Sequence, residues 1–357
     1  MCAILTAGAV SSVAFFVHQR GSFVQATRFP GYVLEGKLTA DLDSAYEEAL
    51  PVRGLAAGLY GAASYVLFGE GRPGVLIGAD GWLFTTEEFE TAPHLEGGVG
   101  RSVARIVSVR DRLARLGVDL AVAVVPAKAA VHGEQLGGHR FPDRAWQRYD
   151  LVLRGLAAHG IAAPDLRARL IAAKARQPMY LRTDTHWSVA GASQAARAVA
   201  AAIARRADMP RSEVTLTAQE PVDHEGDLVK FLALGPFQQA LGPEHDRIVP
   251  LRARTESADQ AADLFGEVPI PVALVGTSYS ADPTWSFAAA LSAELSADVL
   301  NVAADGLGAF RPMEDYLASP ELRDRPPAVV VWELPERYLD DGPESEEPAR
   351  RAAGGTG

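Results

Sequence analysis

The 357-residue chain has one cysteine, Cys2, so no disulfide forms within it and the fold must hold by packing and hydrogen bonding. Basic residues are few against acids, 34 to 45, which leaves a formal charge of -11 and no basic stripe. That excludes a general nucleic-acid binder, because neutralising phosphates needs clustered Lys and Arg. The same mean field repels polyanions, so an acidic polymer would need a locally basic groove. Of the eight histidines, His132, His139 and His159 make no tight metal-ligand spacing. Internal repeats are absent as well.

Long apolar runs are also missing. Residues 2–17 carry no charge before His18, Gln19 and Arg20, yet the run falls short of the roughly 20 residues that cross a bilayer untilted. It suits the apolar region of a signal segment, without the usual basic residues before it or an A-x-A site after it. Residues 1–20 are therefore expected to be a signal anchor or signal-like segment on an exported chain. A start that lies upstream and a buried N-terminal helix are the alternatives.

What is present is ordinary for a globular enzyme, with 48% hydrophobic and 22% charged residues. Residues 21–72 suggest a stalk and an N-terminal helical region, with amphipathic spacing over 55–68. In GADGWLF, residues 78–84, Asp80-Gly81 lies between apolar runs and predicts a hairpin. Helical spacing follows over 101–116, 146–159, 191–205 and 285–295. Short apolar runs over 118–125, 161–163, 272–275, 299–302 and 328–332 suit strands buried on both faces. This alternation predicts an α/β fold with a mainly parallel sheet covered by helices on both sides. Residues 207–260 are irregular and polar, as in an insertion or lid. Residues 341–357 have almost no apolar content and are expected to be disordered.

Two segments carry chemistry. Gly276-Thr277-Ser278-Tyr279-Ser280 follows the 272–275 run directly, and a parallel sheet presents its active site beyond the carboxyl ends of its strands. Glycine permits a sharp turn that exposes a serine hydroxyl, and the turn's amides can face an oxyanion. A plain Gly/Ser/Thr turn is the competing reading. In Asp184-Thr185-His186, residues two apart point the same way in an extended segment. Histidine near neutral pKa can take a serine proton, and a carboxylate can fix its tautomer. A satisfied surface pair, or a metal-binding Asp-x-His, is the competing reading there.

Taken in order, GADGWLF, VVPAK (124–128), YLRTDTHW (180–187), GTSYS (276–280) and WELPERYL (332–339) resemble the alginate O-acetyltransferase family of the AlgJ/AlgX type. The resemblance covers roughly residues 70–340. It implies an SGNH-hydrolase-like three-layer α/β/α sandwich over 73–340, with the motifs permuted so that Asp184 and His186 precede Ser278. Ser278 is then the nucleophile, His186 the base and Asp184 the orienter, with Thr277 where other SGNH enzymes carry an aspartate. The short C-terminal remainder is more like the anchored AlgJ type than AlgX with its added carbohydrate-binding module.

The implied activity is O-acetylation of an exopolysaccharide, alginate or alginate-like, in the periplasm from an inner-membrane anchor. An acetylesterase on the same polymer and a non-catalytic polysaccharide-binding or scaffold subunit are the rivals. Implied partners are the polysaccharide acceptor, a membrane-bound O-acyltransferase that supplies acetyl, and other exopolysaccharide secretion proteins. The chemistry requires neither cofactor nor metal. For the oxyanion hole the Ser278 amide comes first, then Gly306 or Gly308 of Ala304-Asp305-Gly306-Leu307-Gly308, which otherwise serve loop geometry. Tyr279, Lys128 and Trp187 are expected near substrate; Lys128 is otherwise solvated and Trp187, like Trp82, otherwise core. Glu336-Arg337 suggests a structural ion pair.

Overall fold

The computed structural model describes residues 51–203, 209, 211–255 and 270–340. The expected signal segment 1–20 and tail 341–357 lie outside them. Two compact units result, Met1–Val75 with Val229–Pro243, and Leu76–Leu228 with Glu244–Gly357. In the first, helix α1 (Pro51–Ala63) continues as a wide turn over Ser64–Phe68, where amphipathic spacing predicts a single helix. Among the described residues no helix is long and apolar enough to cross a membrane.

In the second unit, strands β1 (Val75–Ile77, from its second residue) and β2 (Leu83–Thr85) form a two-stranded sheet. Asp80 (φ 51°) and Gly81 (φ 76°) lie between them, and Trp82 N–H donates to Ala79 O at 2.9 Å. Two successive positive φ values are what a tight hairpin turn needs, which is why Asp-Gly stands there.

The main sheet contains β3 (Asp119–Val125), and the chain then passes through the two-stranded pairs β4 (Val214–Ala218) with β7 (Leu251–Thr255) and β5 (Val222–His224) with β6 (Asp246–Ile248). β8 (Val272–Val275), β9 (Val299–Asn301) and β10 (Val329–Pro335) complete the main sheet. Its order is β3-β10-β8-β9, all parallel, with Val331 opposite Ala121 on one side and Leu274 on the other. The expected strand over 161–163 reduces to one parallel bridge, Ala162 to Ala121.

Side chains alternate between the two faces, as a period of two requires. Ala121, Ala123, Val125, Val272, Leu274, Val329 and Val331 pack on one side with helices Val189–Ile203 and Phe287–Leu295. Leu120, Val122, Val124, Ala273, Val275, Val330 and Leu334 pack on the other with helices Leu95–Ala114, Asp143–Ala158 and Arg311–Ala318. Both faces are thus apolar, which explains runs such as VALV and the three-layer α/β/α architecture. Polar groups collect instead at the carboxyl edge, where β3, β8 and β10 end.

Candidate active site

At the end of β8 the chain turns at Gly276 into the one-turn helix Ser278–Ala281. A Cβ on residue 276 would lie 2.5 Å from Oε2 of Glu333, so glycine alone lets this acid on β10 approach. Glu333 is 0% exposed. It accepts the Thr277 N–H at 2.8 Å, the Thr277 hydroxyl at 3.1 Å and the Ser280 hydroxyl at 3.0 Å. The carboxylate therefore braces the turn on both sides of Ser278. Burial pushes its pKa up to about 7, against the opposing pull of those hydrogen bonds.

The second segment doubles back on itself. Leu181 N–H donates to His186 O at 3.1 Å and Ser188 N–H to Met179 O at 3.0 Å, which places Asp184-Thr185-His186 at a tip. The tip is held by side chains from distant parts of the chain. Lys128 Nζ donates to the carbonyls of Leu83 (2.6 Å), Arg182 (2.9 Å) and Asp184 (2.9 Å). Asp246 accepts from the Arg182 and Thr183 amides at 3.0 and 2.9 Å, and Asp227 from the Thr185 amide and hydroxyl at 2.9 and 2.7 Å. A buried backbone needs such partners, because each unpaired group costs about 1–3 kcal/mol.

The two segments meet in one hydrogen-bonded line. His186 Nε2 lies 2.8 Å from Ser278 Oγ, and His186 Nδ1 lies 2.6 Å from Asp184 Oδ1. Burial raises the Asp184 pKa, but hydrogen bonds from His186 and His224 outweigh it and hold the carboxyl well below the usual range. An ionised Asp184 accepts from Nδ1, which leaves Nε2 of a neutral His186 free to receive the Ser278 proton. Trp285 stacks on the His186 ring at 4.9 Å and 14°, fixing its plane.

Asp184, His186 and Asp227 offer ligand atoms within 4.8 Å of one another, the spacing a small cation would need. Those atoms are already engaged, however. Asp227 gives both oxygens to Thr185, Asp184 serves His186 and His224, and His186 Nε2 faces Ser278. The donor set fits a proton relay better than a metal centre.

Gly306 and Gly308 line, with Thr277 and Ser278, a groove of about 690 Å³. Its charged walls are Glu87, Glu90, Asp305 and Asp340 against Arg337 alone, so the groove beside Ser278 is acidic rather than basic. Lys128, expected at substrate or in solvent, is in neither place: it is 0% exposed, with its ammonium spent on three carbonyls. Burial lowers its pKa to about 8, against the opposing field of Glu88. Trp187 is buried too, donating Nε1–H to Tyr279 O, so sugar stacking does not fit it, and Trp82 is likewise core. The Tyr279 side chain is also buried, its hydroxyl bonded to Thr185 O at 2.7 Å. Glu336 and Arg337 do not pair with each other: Glu336 accepts the Ala127 amide and Arg337 lies 3.0 Å from Glu87.

Sequence reasoning missed His224, Asp227, Asp246 and the bracing role of Glu333. The first three come from 207–260, expected to be an insertion or lid, and they touch Asp184 or its loop directly. Only an isolated acid or histidine in a polar stretch signals any of them.

Residues 75–336 match the family model described as SGNH hydrolase-like domain, acetyltransferase AlgX. A probable alginate O-acetylase AlgJ of Azotobacter vinelandii is 43% identical over 311 residues, 86% of this chain and 80% of that protein. Its namesake from Pseudomonas aeruginosa is 41% identical over 86% of this chain and 81% of that protein. The solved O-acetyltransferase domain of Pseudomonas putida AlgJ superposes with a TM-score of 0.68 at 38% identity, covering 79% of this chain and all of that one. Pseudomonas aeruginosa AlgX superposes with a TM-score of 0.59 at 25% identity, over 73% of this chain and 61% of that one. The chain therefore belongs to the AlgX family of SGNH hydrolase-like acetyltransferase domains.

Proposed function

We propose that this chain is an O-acetyltransferase that esterifies sugar hydroxyls of alginate, or an alginate-like exopolysaccharide, through an acetyl-Ser278 intermediate. The observation that carries the reading is the continuous line from Ser278 Oγ through His186 to Asp184, at 2.8 and 2.6 Å. Similarity to alginate O-acetylases over most of the chain supports the reaction and the polymer.

In the first half-reaction Ser278 Oγ attacks the carbonyl carbon of an acetyl donor while His186 Nε2 takes the hydroxyl proton. The donor's bond to its leaving group breaks, and His186 returns the proton to that group. In the second half a sugar hydroxyl attacks acetyl-Ser278, His186 takes the sugar proton, and Ser278 Oγ leaves and recovers it. Asp184 stays ionised and stabilises the imidazolium in both steps. The Ser278 amide and the glycines at 306 and 308 are the donors proposed for the oxyanion. The acetyl donor is a membrane-bound O-acyltransferase partner. Action is in the periplasm, with residues 1–20 as a signal anchor or signal-like segment and 21–72 as stalk and N-terminal helical region.

Complementation of a deletion strain tests the reading in cells. Wild type should restore polymer acetylation and Ser278→Ala should not. Restoration by the alanine variant would leave a scaffold subunit as the answer, and a rise in acetylation upon deletion would leave an esterase.

A further inference from the structure

Asp184 holds two histidines. Its Oδ1 faces His186 Nδ1 at 2.6 Å, and its Oδ2 faces His224 Nε2 at 2.7 Å. The amides of His186 and Asp227, at 2.8 and 3.0 Å, bring the donors to four and fill the acceptor capacity of the carboxylate. Trp285 touches both rings, stacked on His186 and edge-on to His224 at 5.2 Å and 82°. His224 ends β5, and its side chain is 26% exposed, so solvent protons reach it.

The geometry points to His224 as a positioning residue for acetyl transfer, one that fixes the outer oxygen of Asp184 and sets by its own charge how strongly Asp184 supports a protonated His186. This rests on the triad reading above. When His224 is neutral, its Nε2–H orients the carboxylate and the full Asp184 charge faces the imidazolium forming at His186. When His224 is protonated, one carboxylate serves two imidazolium rings, and the second proton is opposed by the first. Asp184 is then shared between the two rings and supports the imidazolium forming at His186 less strongly.

The other charged groups around His224 are Asp227 and Asp246, with Lys128 beyond Asp184. Asp227 is committed to Thr185 and Asp246 to Arg182 and Thr183, so Asp184 is the acid that bonds His224 directly. The hydrogen bond to Asp184 raises the pKa of His224, with the fields of the three acids acting in the same direction. Two protons therefore govern the acid limb of the rate profile. One of them is carried by His224, whose charge weakens the support that Asp184 gives the imidazolium.

The test is kcat/KM for 4-nitrophenyl acetate between about pH 4.5 and 9, in the whole chain carrying His224→Gln, with Ser278→Ala as control. A glutamine amide donates the same hydrogen bond without titrating. The acid limb should change from two protons in wild type to one in His224→Gln, while the plateau falls about threefold. His224→Ala, which also loses the hydrogen bond, should lower the plateau about 10–100-fold. A His224→Gln profile superimposable on wild type would overturn the proposal while leaving the triad intact. Turnover that survives Ser278→Ala would instead overturn the triad reading, and the role of His224 with it.

Discussion

Replacing Lys128 by methionine separates two roles for the same residue. The ammonium is fully buried and bridges the carbonyls of Leu83, Arg182 and Asp184 at 2.6–2.9 Å. Arg182 O keeps the Leu83 N–H at 2.9 Å after the change, so two carbonyls lose their ammonium donor without that compensation. At about 1–3 kcal/mol for each orphaned buried acceptor, the loss is about 2–6 kcal/mol. Relief from no longer burying a charge offsets part of it, leaving a net of about 2–4 kcal/mol. For a protein of 357 residues that lowers Tm by roughly 3–5 °C.

The Asp184 carbonyl is one of the three, so the proposed triad should loosen as well. In steady-state turnover of an activated acetyl ester, kcat should fall at least about tenfold with KM little changed, the pattern of a lost transition-state interaction. Thermal unfolding followed by circular dichroism supplies the other half of the assay. A wild-type Tm with a raised KM would refute the structural role and return Lys128 to the substrate.

Other outcomes follow from the same contacts. Asp184→Asn should favour the wrong His186 tautomer and lower kcat by about 10³–10⁴-fold, and a loss below about tenfold would contradict the relay. Glu333, with its pKa raised by burial to about 7, binds its proton more tightly folded than unfolded. Its contribution to stability is therefore full below about pH 4.5 and lost as pH rises through about 7, and Glu336 acts in the same direction. The urea midpoint of wild type should fall across that window, and that of Glu333→Gln should fall less. Equal slopes in the two proteins would show that Glu333 does not titrate there.

The sheet was legible because its strands are buried on both faces. Runs such as VALV at 272–275 and DLAVAVV at 119–125 leave little else for the chain to form. Asp80-Gly81 was legible because few residue pairs tolerate two positive φ values. Ser278, His186 and Asp184 were singled out by side-chain type and local spacing, which put Ser278 on one turn and Asp184 with His186 on another.

The supports of those residues were not legible, for a geometric reason. His224 meets Asp184 across 40 positions, Asp246 meets Thr183 across 63 and Glu333 meets Thr277 across 56, with no periodicity to mark them. Lys128 shows the converse error. A lysine just past a strand end suggests substrate contact or solvent, yet the β2 and 180–187 carbonyls close over it. Burying that cation only becomes favourable once three acceptors converge, and convergence is a tertiary fact.

The most direct measurement is intact mass after brief incubation of the protein with an activated acetyl ester, with peptide mapping and oligomannuronate added as acceptor. The account predicts a single acetyl group on Ser278, absent from Ser278→Ala, which passes to the oligosaccharide. An acetyl group on another residue, or an adduct that persists in Ser278→Ala, would contradict it.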